Sequence, residues 1–190
     1  MIFHNYTVFC AAGLGGYNAF TTRKRDSEGQ YDESLAIDRS HGYSCDPALS
    51  IPGADRALHD IEAAMGAILT MPFVDSKRVI IGGQSRGGIL SVIYAGQHPE
   101  QVKGVINFVG GWLGYNCKTV STVNQELFKR GAHYPGESIW LYGDWDHIYP
   151  LFHSRENFAA FQAAGGKGVF HAFKRNYVSS RSAIIWIKAS

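Results

Sequence analysis

Gly83-Gln84-Ser85-Arg86-Gly87 is the residue set in this chain best suited to chemistry: a serine with glycines two positions to either side. The β-branched run Val79-Ile80-Ile81 precedes it, and Ile89 to Ala95 continues with helix-compatible residues and no proline until Pro99. The pattern predicts a strand that turns sharply into a helix at Ser85. Such a bend leaves no room for side chains near its apex, so Gly83 and Gly87 are sterically required and Gly88 widens the clearance. The N–H groups that open the helix point toward the serine, and the helix dipole adds partial positive charge where an oxyanion would form. Arg86 supplies one such N–H. The chemistry is nucleophilic attack by the Ser85 hydroxyl on a carbonyl carbon. An ordinary glycine-rich turn is the plain alternative, and the strand and helix flanks weigh against it.

A serine hydroxyl is too weakly acidic to attack a carbonyl unaided at neutral pH, so it needs a base, and the base needs an orienting acid. Asp146 follows the strand-like Ile139-Trp140-Leu141-Tyr142 through Gly143-Asp144-Trp145, which puts its carboxylate in the loop at the strand's end. Asp144 competes for the same role, and a turn aspartate that caps the next segment is the structural alternative. Downstream stand His147, His153 and His171. His171 is the candidate base, although its apolar run Gly168-Val169-Phe170-His171-Ala172-Phe173 equally suits a strand-face histidine. Trp112, Tyr115, Trp145 and Tyr149 fall in the loops near these residues, where their rings would favour apolar ester groups or simply pack.

The elements that must position these residues alternate strand and helix. Tyr6 to Ala12 reads as a strand that empties into Gly13-Leu14-Gly15-Gly16, and Thr21 to Ser50 as a long surface excursion. Gly53 to Leu69 carries apolar residues at helical spacing (Leu58, Ile61, Met65, Ile68), with Asp55 in the first turn. Val102 to Val109 and Ser138 to Tyr142 read as strands, Asn124 to Arg130 and Ser154 to Ala164 as helices, and Gly168 to Phe173 as a last strand. This order implies an α/β fold: a mostly parallel sheet with helices on both faces. Right-handed crossovers bring the loops after the strands to one edge of that sheet, where Ser85 and Asp146 would meet.

The chain resembles the α/β-hydrolases, in particular the dienelactone-hydrolase-like and peptidase-like serine esterases, from about residue 6 to 173. Val74 to Gly88 resembles that family's approach to its nucleophile, and Leu141-Tyr142-Gly143-Asp144-Trp145-Asp146 with Tyr149-Pro150 resembles its acid loop. The resemblance implies a Ser-Asp-His triad in that chain order, acting on esters by acyl transfer without metal or organic cofactor. It assigns Ser85 as nucleophile, Asp146 as acid, His171 as base and the Arg86 N–H as an oxyanion donor. Against the family, the chain looks shortened at both ends: first strands are missing, and residues 174–190 stand where a glycine-histidine loop and a closing helix would be. The second oxyanion donor would have to come from Gly13-Leu14-Gly15-Gly16.

Length and composition are those of one globular domain spanning 1–190, with hydrophobic residues at 45%, charged residues at 18% and a net charge of +2. Arg23-Lys24-Arg25 is followed at once by Asp26 and Glu28, a solvated loop rather than a nucleic-acid surface. Cys10, Cys45 and Cys117 are too few and irregular for a disulfide framework or a zinc site, which points to reduced thiols. The start lacks a signal-peptide pattern and no window reaches membrane-spanning length, so a cytoplasmic location is expected. Two other classes remain. Gly13-Leu14-Gly15-Gly16-Tyr17-Asn18 weakly matches a dinucleotide loop, with Asn18 in place of the third glycine. A shortened, silent hydrolase fragment would instead bind partners, or copies of itself, through exposed sheet edges.

Overall fold

A computed structural model of the chain describes residues 2–3, 6–12 and 44–174. The glycine-rich loop at 13–16, the basic cluster at 23–25 and the tail from 175 onward lie outside the described residues. The strands are β1 (Ile2–Phe3), β2 (Tyr6–Ala12), β3 (Val79–Gln84), β4 (Gly104–Phe108), β5 (Ser138–Gly143) and β6 (Gly168–Phe173). They form one six-stranded sheet in sequence order. β1 pairs antiparallel with β2, and every later pairing is parallel. This is the mostly parallel sheet that the resemblance to the α/β-hydrolases implies.

Among the described residues four α-helices connect the strands: α1 (Pro47–Leu69), α2 (Arg86–Gln97), α3 (Val120–Arg130) and α4 (Leu151–Ala163). α2 is buried from Gly87 to Ala95, because it lies against β2, β3 and β4 while α1 and α3 pack over it. Successive parallel neighbours joined by right-handed crossovers place their helices on one face, so among the described residues helices cover one face of the sheet where both were expected, and they contact one another. That face holds the core. Trp140 and Tyr142 of β5 are buried and meet Phe128, Phe158, Phe161 and Phe170 in a chain of aromatic contacts. Alternate residues of the same strands, Ile139 and Val169 among them, are exposed on the opposite face at 42% and 44%.

Two expectations are corrected here. α1 begins at Pro47, inside the segment expected to be a surface excursion, and runs through Pro52. The cause is local: Asp46 caps the helix by accepting from the Ala48 N–H at 2.9 Å, and Pro47 sits at the first position, where a missing N–H is harmless. Cys45 and Cys117 are not free thiols but a disulfide, closing a separation of 72 residues with Cα atoms 5.4 Å apart. Cys45 directly precedes the cap of α1, and the Thr119 hydroxyl that opens α3 donates to the Cys45 carbonyl, so the bond ties two helix starts together.

Candidate active site

Ser85 sits between β3 and α2 with φ 55° and ψ −124°, a conformation that L-residues rarely adopt. Strain of this kind costs about 1–3 kcal/mol and persists only where the surroundings over-determine it. Here they do. The Ser85 N–H donates to the Phe108 carbonyl at 3.0 Å, and the Ser85 carbonyl accepts from the N–H groups of Gly88 at 2.9 Å and Gly111 at 3.2 Å. The bend is therefore clamped from α2 and from the loop that follows β4.

Gly88 owes its identity to crowding. An added Cβ would collide with Asn107 Oδ1 and lie 3.0 Å from the Gly83 carbonyl oxygen. A Cβ added at Gly110 would collide with the same Asn107 oxygen. Asn107 is fully buried, and its amide donates to the Tyr142 hydroxyl at 3.2 Å, which in turn donates to the Gly110 carbonyl at 2.8 Å. Burial pushes the Tyr142 phenol far above its usual range, so it remains a neutral donor. This polar brace under the bend was not found in the sequence. The only mark of it in the sequence is the pair Gly110-Gly111, and Val109 just before them has φ 44° and so departs from the strand expected there.

Asp146 lies in the loop after β5, and one carboxylate oxygen accepts from the N–H groups of Ile148 and Tyr149, both at 2.8 Å. That is the geometry of a turn aspartate, and it also fixes the carboxylate close to the bend. Tyr149 spans the interval: its backbone N–H is held by Asp146, and its hydroxyl lies 3.1 Å from Ser85 Oγ. Ser85 and Asp146 therefore sit at the two ends of one tyrosine. Asp144 instead uses its backbone N–H to hold the Phe173 carbonyl at 3.0 Å and is exposed.

His171 is not brought to Ser85. It faces Leu141 in β5, which faces Phe108 in β4, which faces Gln84, the residue before Ser85. Three strand spacings, about 14 Å, separate the two. His171 is exposed on an edge strand, the strand-face reading of that residue. His153 is buried in α4, its Nε2 3.1 Å from the Asn157 amide nitrogen and 3.4 Å from that of Asn124; burial lowers its pKa. His147 is exposed, with its ring centroid 5.8 Å from that of Trp145.

Arg86 opens α2, which puts its N–H at the positive end of the helix dipole. Its side chain turns away, donating from Nε to the Trp112 carbonyl at 3.2 Å with the guanidinium 5.5 Å from the Trp112 ring centroid. Trp112 is 1% exposed and its N–H is held by Asn124 at 3.0 Å. A substrate-facing role for Trp112 is therefore corrected to packing. Tyr115 and Trp145 are exposed, at 47% and 62%. Tyr115 makes an edge contact with Phe152 and takes its backbone register from Ile148, beside Tyr149. Among the described residues no cluster of three or more His, Cys, Asp or Glu is placed to hold a metal ion.

The profile of the phospholipase/carboxylesterase family matches residues 46–184, which includes both Ser85 and Asp146. The chain belongs to that family. Among solved structures it is similar to a protein described as a dipeptidyl aminopeptidase IV from Bacteroides ovatus ATCC 8483, with 18% identity and a TM-score of 0.54 over 65% of this chain and 19% of that one. It is likewise similar to esterase PE8, with 18% identity and a TM-score of 0.53 over 68% of this chain and 56% of the other. The chain thus spans well under two thirds of the length of either structure. At these identities the likeness speaks to the fold, which is that of the α/β-hydrolases. No curated protein matches this chain significantly.

Proposed function

We propose that the chain is a serine hydrolase, a carboxylesterase acting on acyl esters, with Ser85 as nucleophile, Asp146 as the acid that orients a base, and the Arg86 N–H as an oxyanion donor. The observation that carries this reading is the strained Ser85 backbone at a strand-to-helix bend. Strained backbone of this kind clusters at functional sites, and presenting a hydroxyl at a helix N-terminus is the use that fits here. Membership of a family of phospholipases and carboxylesterases supports the same chemistry. In the first half-reaction Ser85 Oγ adds to the ester carbon, the negative charge that develops on the carbonyl oxygen falls beside the start of α2, and the alcohol departs with the serine's proton. Water then releases the acid. His171 is left out of the proposal by its lateral distance. The exposed rings of Tyr115 and Trp145 would favour apolar acyl or alcohol groups.

A fluorophosphonate reagent tests this directly. Labelling at Ser85, and loss of both labelling and p-nitrophenyl ester turnover in Ser85→Ala, is expected. Turnover that survives this substitution removes the proposal. His171→Ala should leave labelling at its normal rate.

A further inference from the structure

We propose that Tyr149 is a positioning residue for Ser85: it holds the resting hydroxyl by accepting its proton, and turns its own proton onto the same oxygen once that oxygen is acylated. The inference deepens the hydrolase reading and rests on it. It follows from counting protons. The Tyr149 hydroxyl lies 2.9 Å from the Gly111 carbonyl oxygen and 3.1 Å from Ser85 Oγ. A carbonyl oxygen only accepts, so the single phenolic proton goes to Gly111, and Ser85 must be the donor in the second contact. The serine rotor is thereby fixed with its proton toward Tyr149 and its lone pairs free for attack.

Acylation reverses the demand. Ser85 Oγ then carries no proton, and two acceptors would face each other at 3.1 Å unless the phenol turns from Gly111 to Oγ. In deacylation water adds to the acyl carbon, the bond from that carbon to Oγ breaks with its electron pair on Oγ, and the proton lost by the water ends there. A phenol already donating to Oγ stabilises the charge that appears on it. The ring is well placed for this. Tyr149 is 5% exposed and packs directly on Gly111, where an added Cβ would run into the tyrosine ring.

The test separates the two half-reactions. With p-nitrophenyl acetate, Tyr149→Phe should retain the initial burst of nitrophenol while steady-state turnover falls about tenfold, one hydrogen bond's worth. Equal burst and turnover losses, or none, would overturn the proposal. A wild-type protein with neither Ser85-dependent turnover nor fluorophosphonate label would instead overturn the hydrolase reading, and the contact is then decided without turnover. The Tyr149 ¹³Cζ resonance, assigned by its loss in Tyr149→Phe, should shift in Ser85→Ala; an unmoved resonance overturns the hydrogen bond whatever the activity.

Discussion

Replacing Cys45 and Cys117 together by serine removes the one covalent crosslink among the described residues while leaving the volume at both sites nearly unchanged. The bond closes a separation of 72 residues. Loop-closure entropy for that length amounts to about 4.4 kcal/mol at 25 °C, released to the unfolded chain when the crosslink is absent. A chain of 190 residues unfolds with an entropy of about 0.4 kcal/mol/K, so the melting temperature should fall by about 11 °C. Part of the loss should be local, because Cys45 adjoins the Asp46 cap of α1 and its carbonyl receives the Thr119 hydroxyl at the start of α3. The assay is a thermal melt of the wild type, the double variant, and the wild type with reductant, the last two coinciding. Thiol titration of the unreduced, denatured wild type should find one free thiol, that of Cys10. Three free thiols, or a shift in melting temperature below about 3 °C, would refute the argument.

Three further outcomes follow from packing and burial. Gly88→Ala should destabilise the protein by about 1–3 kcal/mol and slow fluorophosphonate labelling, since its neighbours are the Asn107 side chain and backbone that cannot retreat. Gly66→Ala in the exposed part of α1 meets nothing within 4 Å and should instead stabilise by about 0.5–1 kcal/mol in urea unfolding; the same sign for both would refute the steric account. His153 has its pKa lowered by burial in the folded state, so the unfolded chain binds its proton more readily. Its contribution is fully present above the unfolded pKa of about 6.5 and is lost as pH falls through the lowered value, with a slope of up to about 1.4 kcal/mol per pH unit. His153→Gln should flatten the melting temperature between pH 7.5 and 5.5 relative to wild type, and parallel profiles would count against this role.

The strands and helices were largely legible because their causes are local. The β-branched run Val79-Ile80-Ile81 marked β3, short apolar runs marked β4 to β6, and helical spacing marked most of α1. The bend at Ser85 could be read from Gly83 and Gly87 because crowding at a tight turn acts within a few residues. The start of α1 was missed, since a surface-like polar stretch hid an aspartate cap followed by proline. His171 looked usable because the sequence places it after Asp146, but chain order carries no lateral distance. Parallel pairing converts three intervening strand steps into about 14 Å, and that number exists only once the register is set.

By itself, then, the amino-acid order determined the alternation of elements, the serine at the bend and the aspartate in the loop after β5, each a consequence of sterics or periodicity over a handful of neighbours. Tertiary structure alone decided which groups meet: Tyr149 on Ser85, Asn107 against Gly88 and Gly110, Cys45 on Cys117. Those contacts join residues far apart in the chain. Their geometry is set by how strands register and how helices stack upon them, a property of the whole sheet that no short window of sequence contains.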